Sequence, residues 1–88
     1  MKLRFYAIKD NVVGAFMNPV PLHNDAECIR AVKESVQKPG EFTSRAADLS
    51  MYYLFTLDYE SGLIVDNNVS FICNVIDYVK ENNDGESQ

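Results

Sequence analysis

Residues Pro19–Gly40, PVPLHNDAECIRAVKESVQKPG, hold one amphipathic helix with both ends marked, set between aromatic runs that alternate like strands. Asn24 stands at the N-cap with Glu27 three residues on, in the spacing of a capping box. Asp25 and Glu27 put negative charge at the positive end of the helix dipole. Cys28, Ile29, Val32 and Val36 fall within about 100° of arc at 100° per residue. Glu27, Arg30, Lys33, Glu34 and Gln37 lie outside that arc or at its edge. Lys38-Pro39-Gly40 closes the run with a cation and two helix breakers. One face of such a helix packs on a sheet and the other meets water.

The flanking segments supply the sheet. Leu3–Ile8 alternates Leu3, Phe5 and Ala7 on one side with Arg4, Tyr6 and Ile8 on the other, which predicts a first strand. Asp10-Asn11 has turn chemistry, and Val12–Met17 is expected to return as a second strand. Pro19 and Pro21 are expected to end that ladder because neither has an N–H to give. Glu41–Asp48 is polar and mixed, a connection expected to be only partly ordered. Met51–Asp58, MYYLFTLD, is the strongest strand signal. Asp58–Gly62 before Leu63-Ile64-Val65 has the form of a hairpin whose glycine takes a positive φ. Val69–Cys73 is compatible with a final strand and Asn74–Glu81 with a short helix, and periodicity does not decide between strand and helix there. The expectation is a single α+β domain over residues 1–81, with one helix on a four- or five-stranded, mostly antiparallel sheet. An acidic, disordered tail is expected over 82–88.

Composition narrows the function. The 88 residues carry a formal charge of −5, unfavourable for a strong nonspecific binder of phosphate backbones. That charge is split, with residues 1–45 at +2 and residues 46–88 at −7, which leaves room for a local basic face. No apolar run follows the first residues in the manner of a signal peptide, and no window has the length of a membrane span. The two cysteines, Cys28 and Cys73, permit one intrachain bridge. Their apolar surroundings favour buried free thiols and a reducing cytosol. His23 is the single histidine and precedes the helix cap, and the cysteines form no C-x-x-C pair. Four glycines, at 14, 40, 62 and 85, make no phosphate-cradling loop. Asp58 and Glu60 flank a turn, where acids are solvated. No catalytic group, metal site or cofactor is therefore expected, and the chain reads as a binding protein.

Ten residues are Phe or Tyr, and several sit beside cations on strand-like runs. A sheet face that presents rings for base stacking next to positive charge is a device for single-stranded nucleic acid. The candidate contacts are Lys2, Arg4, Lys9, Arg30 and Lys33 for phosphate, with Tyr6 and Tyr52 for stacking. Tyr6 and one of Tyr52 or Tyr53 are expected to be exposed. A homodimer would double these contacts and bury apolar surface that a small core leaves open. The competing expectation is a protein-interaction module that meets a host or viral protein through its acidic half, without touching nucleic acid.

Three stretches, FYAIKD at 5–10, NPVPLHNDAECIRAV at 18–32 and MYYLFTLDYESG at 51–62, occur in an order and spacing that resemble the small nonstructural protein of gokushoviruses, single-stranded DNA phages of the Microviridae. The resemblance runs from Leu3 to Tyr78. Phe55-Thr56, Cys28 and Val20 depart from its pattern. It implies a nonstructural role in replication or packaging of single-stranded phage DNA in the host cytoplasm, with DNA as partner, and it brings no catalytic residues.

Overall fold

The computed structural model describes residues 1–79, and the expected acidic tail at 82–88 lies outside them. Its elements in chain order are β1 (Lys2–Asp10), β2 (Ala15–Leu22), α1 (Asp25–Ser35), α2 (Glu41–Ser44), a 3₁₀ turn (Ala46–Asp48), β3 (Leu49–Asp58), β4 (Ile64–Asp66) and β5 (Ser70–Asn74). Residues 75–79 are helical. The fold is α+β, as expected. All ladders are antiparallel, and the sheet order is β2-β1-β3 with β4 and β5 following one another along the far side of β3.

β3 is the strand on which the sheet is assembled. β1 runs beside its whole length, from Lys2 opposite Asp58 to Asp10 opposite Leu49. On its other side Ser50–Tyr53 pairs with β5 and Thr56–Leu57 with β4. Each strand shows one face to α1 and the other away from it. Tyr6 lies opposite Tyr53, and Met51 opposite Cys73, all on the helix side. These four join Cys28 and Val32 of α1 and its C-cap Val36, together with Ala46, Leu49 and Val75, in the buried core.

The helix start is the one the sequence describes. The Asn24 side chain accepts the Glu27 backbone N–H at 2.8 Å, and the reciprocal half of the capping box is replaced by a contact of Glu27 with His23 Nδ1 at 3.1 Å. The hairpin after β3 also follows expectation. Gly62 has φ +75°, and the Asp58 N–H donates to the Leu63 carbonyl at 2.9 Å. Both cysteines are free and buried, Cys28 on α1 and Cys73 on β5.

Expectations fail in two places. The second strand does not begin at Val12, since Val12–Gly14 belong to the turn and β2 starts at Ala15. Pro19 and Pro21 do not end the ladder but lie inside β2, which extends to Leu22. β2 is an edge strand, so the missing N–H groups can face solvent where no partner waits for them. The pairing slips between Tyr6 and Ile8, and Asn18 takes φ +46° at that slip, a backbone conformation that asparagine tolerates better than most residues. Likewise, Glu41–Asp48 is ordered throughout. Asp10, only 4% exposed, accepts from the Val12 and Val13 N–H groups within its own turn and pairs with Arg45 Nη2 at 2.7 Å. The Asn11 N–H donates to the Asp48 carbonyl at 2.8 Å. The segment is therefore fastened to the β1–β2 turn by groups some 35 residues away, beyond the reach of a local reading.

Because one side-chain acceptor serves the first turn of α1, Asn24→Ala is expected to lower stability by about 1 kcal/mol. In a domain of this size that corresponds to a fall of roughly 4–8 °C in Tm. Asn24→Asp, which keeps the acceptor, is expected to melt close to the parent, and thermal denaturation followed by circular dichroism distinguishes the two.

Candidate functional site

The side of the sheet turned away from α1 is not covered by any other described element. Ladder partners share a face, so this side can be mapped from the register: Leu3 with Leu57, Phe5 with Phe55, Ala7 with Tyr52, Lys9 with both Phe16 and Ser50, Leu57 with Ile64, and Tyr52 with Phe71. The only charged side chain among them is Lys9.

The rings on this side fall into two groups with different geometry. Phe5 and Phe55 lie nearly parallel, centroids 4.7 Å apart at 11°, so each covers a face of the other. Phe16, Tyr52 and Phe71 instead form a row across the sheet from β2 to β5, with near-perpendicular neighbours at 5.4 Å and 90°, then 5.7 Å and 80°. No ring of the row lies flat on another. Lys9 Nζ sits 5.6 Å from the Phe16 centroid and 5.7 Å from that of Tyr52, within range of a cation–π attraction to both. Phe16 and Phe71 are 43% and 53% exposed.

A short polar chain lies next to the row. Buried Ser50 accepts from Asn11 Nδ2 and donates to Asn74 Oδ1, each at 2.9 Å. Asn11 and Asn74 are themselves exposed, so amide groups stand at the border of the aromatic surface.

On the helix side, Tyr6 and Arg4 are occupied with structure. Tyr6 is fully buried, and its hydroxyl donates to Asp25 Oδ1 at 2.5 Å. Arg4 donates through Nε to the Tyr6 hydroxyl at 2.7 Å and through Nη2 to Asp25 at 3.0 Å, while its guanidinium lies 4.0 Å from the Tyr53 ring centroid. This network ties the first residue of α1 to β1 and β3. The Tyr53 hydroxyl donates to Asp66 at 2.5 Å and so anchors β4.

The family model for phage ORF5 proteins matches residues 3–78. The chain belongs to the phage ORF5 protein family. No curated protein and no solved structure matches it.

For this phage ORF5 protein the candidate residues read from sequence separate into three groups. Lys9 and Tyr52 meet on the uncovered face. Tyr6 and Arg4 are corrections: the expected open ring is in the core and the expected phosphate contact is spent on Asp25 and Tyr53, because their positions in β1 point toward the helix. Tyr53 is buried as well. Arg30 and Lys33 are exposed on α1, across the sheet from the rings, with Lys33 Nζ 5.3 Å from the Tyr78 centroid. Lys2 begins β1, seven residues from Lys9, about 23 Å along an extended strand. The early cations therefore do not gather into one cluster. Phe16 and Phe71 are the residues missed. Their signal was present in the register, since a ring opposite Tyr52 or beside Lys9 shares their face, but register is set by pairing between distant segments.

The buried groups are held in their neutral forms. Burial, then the bond to Asp25, pushes the Tyr6 hydroxyl well above its ordinary range, and burial with the bond to Asp66 raises that of Tyr53. Burial pushes the Cys28 thiol up to about 12 and the Cys73 thiol up to about 11. Among the described residues no three or more His, Cys, Asp or Glu side chains come together in a way that could hold a metal ion, and no helix is long and apolar enough to cross a membrane.

A tyrosine whose folded-state pKa is raised stabilises the fold below its unfolded pKa, near 10, and that contribution is lost above it, because only the unfolded chain then releases the proton readily. Spectrophotometric titration is therefore expected to show Tyr6 and Tyr53 ionising only together with alkaline unfolding. Tyr6→Phe should remove one such late-titrating group. Ionisation of all five tyrosines before any loss of circular dichroism would contradict the buried placement.

Proposed function

We propose that the uncovered sheet face is a stacking platform for single-stranded nucleic acid, and that this phage protein is a non-enzymatic accessory factor attending a single-stranded genome in replication or packaging. The observation that carries the reading is the row Phe16–Tyr52–Phe71 with Lys9 over two of its rings. Aromatic faces stack any base, and a cation beside them neutralises the phosphate that follows. The amides of Asn11 and Asn74 offer donors and acceptors to base edges at the border of the row. The motifs shared with gokushovirus nonstructural proteins agree with a single-stranded DNA partner and a site of action in the host cytoplasm.

Electrostatics sets the character of this binding. With a charge of −5 overall and one lysine at the rings, stacking supplies most of the affinity and phosphate contact little. The dependence on salt is accordingly shallow, since each phosphate neutralised on a single strand contributes a slope of about −0.7. A second reading, docking of a protein partner, is favoured by Leu63, Ile64, Val65 and Val69, which are 50–64% exposed along the β4 margin.

Fluorescence anisotropy with a labelled oligothymidine at several salt concentrations tests the proposal. Tyr52→Ala and Phe71→Ala are each expected to weaken binding roughly five- to 150-fold, in line with about 1–3 kcal/mol per stacked base. Lys9→Ala should flatten the salt dependence, while Arg30→Ala should change neither quantity. Absence of binding by the parent protein at low salt would overturn the reading. Capture of a specific protein from nuclease-treated host extract, lost with Val65→Asp, would favour the second.

A further inference from the structure

The sheet ends differently on its two sides. Its β2 edge carries Pro19 and Pro21, which cannot donate to another strand. The opposite edge consists of β4 and β5 in series, and among the described strands β5 pairs only with β3. β5, Ser70-Phe71-Ile72-Cys73-Asn74, has no proline and no charged residue. Natural sheets protect such edges with lysine, proline or a covering segment; here one edge has that protection and, among the described residues, the other has none.

We propose that the outer edge of β5 pairs antiparallel with β5 of a second copy of this chain, joining two five-stranded sheets into one. Charge selects the occupant. Each copy is a net anion of −5, so two copies can approach closely only where acids are absent or engaged. β5 is neutral, and Asp66 on neighbouring β4 is held by the Tyr53 hydroxyl and Asn68. A strongly charged partner would find no opposite charge on this strand. Antiparallel pairing of one strand with itself is two-fold symmetric, so the same surface serves both sides and the assembly closes at two.

The pairing also continues the aromatic row. That row crosses the sheet and stops at the edge, on Phe71, which is 53% exposed. The two-fold axis of an antiparallel pair stands perpendicular to the sheet and keeps the ring-bearing faces of both copies on the same side. Phe71 of each copy then approaches the other, and the platform grows from three rings and one Lys9 to six rings and two. This consequence rests on the nucleic-acid reading, whereas the pairing itself does not.

Light scattering on the full chain without nucleic acid tests the pairing, with Ser70→Lys as the variant. Ser70 is exposed and, among the described residues, its side chain bonds only to the Asn68 carbonyl, so the variant should melt near the parent temperature while placing a lysine on the edge. The expected result is a parent mass twice 10.0 kDa at tens of micromolar and a variant mass of 10.0 kDa. Amide hydrogen exchange of residues 70–74 should slow as parent concentration rises. A parent that stays monomeric, one that grows without limit instead of stopping at two, or a dimer whose 70–74 amides ignore concentration would each overturn the proposal. Oligonucleotide titration separates the two readings. A dimer that binds no oligonucleotide leaves the pairing standing and removes the stacking platform. With both correct, Ser70→Lys keeps affinity for a short oligothymidine and loses the gain on doubling its length.

Discussion

A single eleven-residue helix, about 16 Å long, can cover only one side of a five-stranded sheet. Everything distinctive in this molecule follows from that shortage of cover. On the helix side, tyrosines are drawn fully into the core, and their hydroxyls are satisfied by carboxylates on α1 and β4. On the other side, rings of the same kind have no second layer among the described residues and are shielded by their neighbours. Burial of an aromatic hydroxyl in a small domain requires a partner for the oxygen. Arg4, Tyr6 and Asp25 provide it while fixing the position of the helix.

Much of this was legible in the chain. The start of α1, the strand character of Leu3–Ile8 and Met51–Asp58, and the glycine turn at Gly62 are local statements. Local chemistry decided them. Failures occurred wherever the deciding partner lay far away in sequence. Pro19 and Pro21 look like terminators until β2 is known to be an edge. Glu41–Asp48 looks loose until Asp10 is seen to hold Arg45. The alternation of β1 placed Tyr6 with Arg4 correctly on one face, but alternation does not say which face the helix will choose. That choice moved Tyr6 into the core and left Phe5 and Lys9 on the uncovered side.

The same limit governs the site. Counting cations in the first half of the chain identifies a local positive balance, yet the fold distributes those cations over a strand end, an ion pair and the exposed side of a helix. Only Lys9 stands with the rings. A surface built in this way differs in kind from a basic groove. It is apolar and aromatic with a single positive charge, on a molecule that carries a net charge of −5.

The long ladder between β1 and β3 has a consequence for how the chain reaches this state. The first strand finds its main partner only after some forty intervening residues, and it cannot be fully paired on that side until Asp58 has left the ribosome. Contacts so distant in sequence slow folding, because the intervening chain must be closed into a loop before any pairing rewards it. The β1–β2 hairpin, by contrast, is local and can form early. It would wait as a two-stranded ribbon with both Phe5 and Tyr6 in water, and in that interval the prolines of β2 protect one side of the nascent ribbon from pairing with a neighbouring chain.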